Sequence, residues 1–217
     1  HFSHEPVLLD SGGGVKKIEP LASAEEPLLV INGDMAATFD LRRVMEDHVR
    51  HRPSVTLALR TAGDKRNVGF DPSSGLVTDM RHALGRDPGS CQFTGAYCME
   101  PEVFSRIPPR EAVSIIPVFL DYIRRGRLRG MLADDGLWMD MGTPESYIQA
   151  HLDFPSPAPR IHPDAEVSPG ASVDAASVIG PRAVVEEGCR LRECIVWPGV
   201  RVPAGTRAER RIFHLSL

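Results

Sequence analysis

The chain has 217 residues, 42% hydrophobic and 25% charged, with a formal net charge of −4. That composition describes a folded globular protein with room for one full domain or two small ones, and it excludes disorder as the overall state. The mild acidity gives no global attraction to nucleic acid or an acidic membrane surface, and no apolar run approaches the roughly 20 residues that a membrane helix needs.

The sequence opens at His1 with no methionine and no basic-then-apolar leader, so it reads as a fragment, and a cytoplasmic location is the expectation. LLDSGGGVKK (Leu8 to Lys17) then places Gly12, Gly13 and Gly14 between an apolar run and two lysines. Glycine lets a backbone approach a ligand closely, but the spacing is not the G-x-x-x-x-G-K-[ST] of a phosphate loop, so a turn and a ligand contact both stay open. LLVING (Leu28 to Gly33) predicts a buried strand, with Asp34 at its carboxyl end, where open α/β sheets place their ligands.

Leu41, Val44, Met45 and Val49 recur at helical spacing and predict a helix over Asp40 to Arg52 with Asp40 as its cap. His48 and His51 belong to the surface or packing of that helix. Ser54 to Leu59 and Cys91 to Met99 predict further strands, and Ala112 to Gly126 a second amphipathic helix with Pro117 in its first turn. Arg124, Arg125, Arg127 and Arg129 read as the solvated end of this helix, and Asp134 with Asp135 as a hairpin turn before Gly136. The alternation of strands and helices predicts an α/β sandwich around a mostly parallel sheet. Cys91, Cys98, Cys189 and Cys194 show no C-x-x-C spacing and are expected as buried reduced thiols. Trp138 and Trp197 are expected as packing anchors.

A Pro-rich linker over 155–160 divides residues 1–154 from 161–217, where the pattern changes. Ile161, Val167, Val173, Ile179, Val185 and Leu191 recur every six residues, and small residues (Ala165, Ala171, Ser177, Ala183, Cys189) follow the first five at a distance of four. This pattern resembles the hexapeptide repeat of left-handed parallel β-helices, in which one aliphatic per side fills a three-sided prism. The register slips by one at CIVWPGV and resumes with Val196 and Val202. Eight hexads amount to fewer than three coils, so the prism is expected to pack on the first domain or on a second copy of itself.

Asp34 in INGDM and Asp140 in LWMDMGT both leave apolar strands beside glycine, and two carboxylates converging from separate strand ends could hold one Mg²⁺. In order, LLDSGGG, LLVINGD, FTGAY and GLWMDMGTPESY, followed by hexapeptide repeats, resemble the sugar-phosphate nucleotidyltransferases. Within that family the triple-glycine form looks most like the N-acetylmuramate-1-phosphate uridylyltransferases and the mannose-1-phosphate guanylyltransferases. The resemblance implies a Rossmann-like three-layer catalytic domain followed by the β-helix. It also implies attack of a sugar 1-phosphate on the α-phosphorus of a nucleoside triphosphate, with Mg²⁺ between Asp34 and Asp140 and pyrophosphate leaving. Gly12, Gly13 and Gly14 would line the nucleoside site, while Thr94, Gly95 and Tyr97 would border the sugar.

T-P-E-S has the look of a helix start, so Thr143 is expected to cap the next helix ahead of any ligand role, and Lys16 and Lys17 read as ordinary helix residues. The family's G-x-G-T-R loop and later P-K are not in the sequence and are expected upstream of His1. The family's Glu-Lys-Pro has only a weak counterpart in TDMRHAL, where Asp79 and Arg81 read as a solvated strand end. Expected partners are a nucleoside triphosphate and a sugar 1-phosphate, with self-association through the β-helix, and neither nucleic acid nor membrane. Two other functions compete: a hexapeptide-repeat acyltransferase with His162 or His214 as base, and a non-catalytic nucleotide-sugar-binding relative, for which the missing loop speaks.

Overall fold

Apolar runs and helical periodicities become elements close to where the sequence places them. The computed structural model of the protein describes residues 1–154 and 160–215, so the expected linker lies, except for Arg160, outside the described residues. The first elements are α1 (Asp10–Lys17), β1 (Leu28–Ile31), β2 (Met35–Ala37), α2 (Leu41–His51), β3 (Val55–Arg60), β4 (Val68–Asp71), β5 (Leu76–Met80) and β6 (Gln92–Met99). They are followed by α3 (Ile116–Arg124), β7 (Leu128–Leu132), β8 (Trp138–Asp140) and α4 (Pro144–Asp153). The chain forms two compact units, His1–Gly33 with Ala37–Trp138, and Asp34–Ala36 with Met139–Leu217.

In the first unit six strands form one sheet in the order β1-β6-β3-β7-β5-β4. Only β3 and β7 run parallel; β1–β6, β3–β6, β4–β5 and β5–β7 are antiparallel. The expected mostly parallel sheet is therefore a mixed one, because the turn between Asp71 and Leu76 is too short for a crossover and folds β4 back on β5. Val55, Leu57 and Leu59 of β3 are fully buried and meet Phe119, Tyr122 and Ile123 of α3 in one apolar core. Burying a side chain such as Phe119 contributes roughly 1.5–3 kcal/mol.

Asp40 caps α2 as expected, its carboxylate accepting the Arg42 N–H at 3.0 Å. α3 begins four residues later than its periodicity suggests. The preceding stretch is occupied elsewhere: Val113 donates its N–H to Leu9 and accepts the N–H groups of Gly12 and Gly13 at 2.8 and 3.1 Å. The expected hairpin at Asp134 is also not formed, since β7 lies in the large sheet while β8 pairs with β2. Asp134 is drawn instead to Thr61, accepting from its N–H and hydroxyl at 2.9 Å each. Of the expected solvated arginines, Arg129 is largely buried, donating to Asp47 and to the Ser74 carbonyl. All four cysteines are buried and reduced, and burial pushes the Cys98 thiol up to about 12.

In the second unit nine short strands follow α4: β9 (Glu166–Val167), β10 (Ser172–Val173), β11 (Val178–Ile179), β12 (Val184–Val185), β13 (Arg190–Arg192), β14 (Ile195–Val196), β15 (Arg201–Val202), β16 (Arg207–Glu209) and β17 (Ile212–Phe213). They stack as three parallel three-stranded sheets, β9-β12-β15, β10-β13-β16 and β11-β14-β17, the sides of a parallel β-helix. Val167 lies beside Val185 and Val202, Val173 beside Leu191 and Ala208, and Ile179 beside Val196 and Phe213, so each rung is one interior position.

The described strands make three full coils, where eight hexads amount to fewer than three, because Ala208 and Phe213 continue the interior beyond Val202. The slip at CIVWPGV is a shortened corner. From Leu191 to Val196 the step is five residues, and the next coil repeats it from Ala208 to Phe213. Glu193 and Arg210 turn these corners with φ of 50° and 48°, and Arg210 Nη1 meets Glu193 Oε2 at 2.7 Å.

Candidate active site

β2 begins immediately after Asp34 and β8 ends at Asp140, so the two-stranded sheet they form brings two carboxylates from distant sequence together. The Met141 N–H donates to the Asp34 carbonyl at 2.7 Å, locking the strand ends together. Gly142 then turns beneath the side chains, its N–H donating to Asp140 Oδ1 at 2.9 Å. A Cβ at Gly142 would stand 3.1 Å from Asp140 Oδ1 and 3.3 Å from Asp34 Oδ2. Both oxygens therefore converge on a cradle that a single methyl would fill.

Two carboxylate oxygens facing one small space suit a hard divalent cation, and Mg²⁺ characteristically takes one or two protein carboxylates while keeping water and substrate phosphates. Among the described residues no third His, Cys, Asp or Glu joins them. Thr143 follows as the cap of α4. Its hydroxyl accepts the Ser146 N–H at 3.1 Å, and Ser146 Oγ accepts the Thr143 N–H at 3.0 Å. The loop that carries Asp140 is thus fixed at both ends.

Gly12, Gly13 and Gly14 lie inside α1. A Cβ at Gly12 would meet the Val113 carbonyl at 2.8 Å, and one at Gly13 would collide with the Glu111 carbonyl. These two glycines let the helix lie directly on the 111–115 backbone, a contact about 100 residues distant in sequence. Gly14 faces only the Glu5 carboxylate.

Thr94, Gly95 and Tyr97 sit in β6, at a bulge where two steps along β3 match four along β6. Gly95 turns it with φ of 87°, where a Cβ would strike the Asn32 side chain at 2.9 Å. The Thr94 hydroxyl closes the gap, donating to the Ala58 carbonyl at 3.0 Å and accepting the Ala96 N–H at 3.2 Å. Its own carbonyl takes the Trp138 indole N–H at 2.8 Å. Tyr97 is buried, its ring edge-on to Phe119 at 5.1 Å, and burial holds its phenol well above the usual range.

Asp79 departs from the expected solvated strand end. It is fully buried and accepts the N–H groups of Met80, Leu84 and Arg86 at 2.7, 3.0 and 2.8 Å. Burial alone would raise its carboxyl, but these backbone donors outweigh it and leave the group below the ordinary value. They also hold Arg81 and His82 in left-handed conformation, each with φ of 57°.

One polar cluster has no counterpart in the sequence reading. His48 is fully buried, its Nδ1 2.9 Å from Thr56 Oγ1 and its Nε2 3.2 Å from Glu100 Oε1. Its spacing of four from Val44, on the apolar stripe of α2, is the signal that could have revealed it. The histidines proposed as acyl-transfer bases are otherwise employed: His162 Nδ1 accepts the Asp164 N–H at 3.1 Å, and His214 lies against Trp197.

A family model described as nucleotidyl transferase matches residues 1–156. The chain is 33% identical over 221 residues to the mannose-1-phosphate guanylyltransferase of Mycobacterium tuberculosis, covering 93% of this chain and 60% of that protein. It is 27% identical over 202 residues to mannose-1-phosphate guanylyltransferase 1 of Arabidopsis thaliana, covering 84% and 56%. The chain thus spans somewhat more than half the length of the curated relatives it matches. A solved structure from Bacillus anthracis, described as a candidate glucose-1-phosphate thymidylyltransferase in complex with sucrose, has a similar fold. The TM-score is 0.55 at 21% identity, over 68% of this chain and 61% of that one.

Proposed function

The chain belongs to the nucleotidyl transferase family, and on that premise we propose that it serves the formation of a nucleotide sugar and pyrophosphate from a nucleoside triphosphate and a sugar 1-phosphate. The observation that carries this reading is the convergence of Asp34 and Asp140 over Gly142. The two carboxylates would hold Mg²⁺, which when bound supplies charge neutralisation for the triphosphate and the departing pyrophosphate. The chain's own part is placement: the β2–β8 pairing sets the carboxylate spacing, and the Thr143 cap stiffens the loop behind Asp140.

Mannose 1-phosphate and guanosine triphosphate are the proposed first substrate pair, after the two curated relatives. Gly12, Gly13 and Gly14 are proposed at the nucleoside, with Gly14 the one whose side is not filled by backbone. The β6 bulge at Thr94 and Gly95 is proposed at the sugar, with Tyr97, whose ring is buried in the core, supporting it from within. Self-association through the β-helix and a cytoplasmic location complete the proposal; no helix among the described residues is long and apolar enough to cross a membrane.

Pyrophosphate release by the full-length protein, measured over a panel of nucleoside triphosphates and sugar 1-phosphates, tests it. Release is expected with one pair and is expected to fall by about 100-fold or more in Asp34→Asn and in Asp140→Asn. No release with any pair overturns the enzyme reading, and undiminished activity in Asp140→Asn overturns the two-carboxylate site.

A further inference from the structure

The outward arginines of the β-helix differ in whether an acid faces them. Three arginines there reach an acid on the adjacent coil: Arg192 to Glu209 at 3.5 Å, Arg201 to Glu186 at 2.7 Å, and Arg210 to Glu193 at 2.7 Å. Arg190 and Arg207 do not. They are register partners on β13 and β16, both exposed, and among the described residues neither guanidinium has a hydrogen bond or ion pair. Adjacent strands lie about 4.8 Å apart, so two like charges stand directly opposite each other, a placement that disfavours the bare fold.

Ser172 is the register partner of Arg190 on the other side, exposed and with its hydroxyl uncommitted, so one outward ladder runs hydroxyl, guanidinium, guanidinium. These residues line a shallow concavity of about 550 Å³ together with Asp174, Arg192 and Glu209. Neither acid there forms an ion pair with Arg190 or Arg207. Glu209 is held by Arg192, and the Asp174 carboxylate accepts from Ser177 N–H, Ser177 Oγ and Glu193 N–H at distances of 2.6 to 3.2 Å.

We propose that Arg190, Arg207 and Ser172 form a binding site for a small phosphoryl anion, a phosphate monoester or diphosphate. Two guanidinium groups on register partners one strand apart can each donate to oxygens of one such anion, and the serine hydroxyl adds a further donor. Lysine would bring charge without the planar fork. The assignment is independent of nucleotidyl transfer at Asp34 and Asp140.

Calorimetric titration of the full chain with inorganic pyrophosphate, in the presence of a chelator and at constant ionic strength, tests the site. Saturable binding is expected in the wild type, in Asp34→Asn and in Arg201→Gln, and is expected to weaken by about 10-fold or more in the double variant Arg190→Gln/Arg207→Gln. The thermal midpoint of the wild type should rise with pyrophosphate, and that rise should vanish in the double variant, which removes a repulsion and therefore folds. Equal binding by the double variant overturns the proposal. So does a loss confined to Asp34→Asn, which would place the anion at the carboxylates, and so does an equal rise in midpoint with sodium chloride, which would reduce the effect to screening.

Discussion

Gly142 is the residue on which the carboxylate pair depends most closely, because its missing side chain is the space the two oxygens share. Gly142→Ala should push the Asp34 and Asp140 oxygens apart by a few tenths of an ångström while leaving every charge in place. Mn²⁺ affinity, measured by calorimetry, is expected to fall several-fold, with the thermal midpoint nearly unchanged; unaltered affinity would mean that the cradle is not where the cation binds. His48 offers a second test at this scale. Burial lowers its pKa below 6.5, against the opposing pull of Glu100, so below that pH the unfolded chain takes up a proton that the folded chain refuses. Stability should therefore decline as the pH falls through 6.5, and His48→Gln, less stable at pH 7, should show a shallower decline in denaturant titrations.

Elements built from local pattern were legible, and those fixed by distant partners were not. α2 follows directly from four apolar residues and an aspartate, and the β-helix from a six-residue aliphatic spacing that each rung repeats. The triple glycine shows the opposite case: what Gly12 and Gly13 meet lies at residues 111–115, and nothing in LLDSGGGVKK points there. The carboxylate pair was found through motif order, whereas the closeness of Asp34 to Asp140 comes from strand pairing that no spacing encodes. The loop after β5 was missed because Arg81 and His82, which take left-handed backbone, carry none of the usual turn chemistry.

Asp79 holds that loop, and the sign of its shift sets its acid behaviour. A depressed carboxyl contributes stability that is present above its unfolded value of 3.8 and is lost as the pH falls through its lower folded value. Hydrogen exchange at the amides of Met80, Leu84 and Arg86 should therefore stay slow into that range. In Asp79→Ala the same amides should exchange rapidly at neutral pH, with a stability loss on the order of 3 kcal/mol.

At the scale of the whole molecule two separate apolar clusters stand out, one between the sheet and α3, the other inside the β-helix. Each unit should then respond to damage in its own core. Leu191→Ala, at a buried rung, is expected to cost about 2–5 kcal/mol in the transition that reports the β-helix and to leave the transition of the sheet unchanged, as read by calorimetry and by Trp138 fluorescence. A single transition that moves as a whole would show that the units unfold together.

The shortened corners at Glu193 and Arg210 bear on how this chain is compared with others. Because the interior rungs on both sides keep their register, one residue can be missing at that corner without disturbing the core. Evolution can therefore trim or extend the polypeptide there at little cost. An alignment that places its single-residue gap elsewhere along the coil would set an outward arginine against an inward aliphatic and lose the match between rungs.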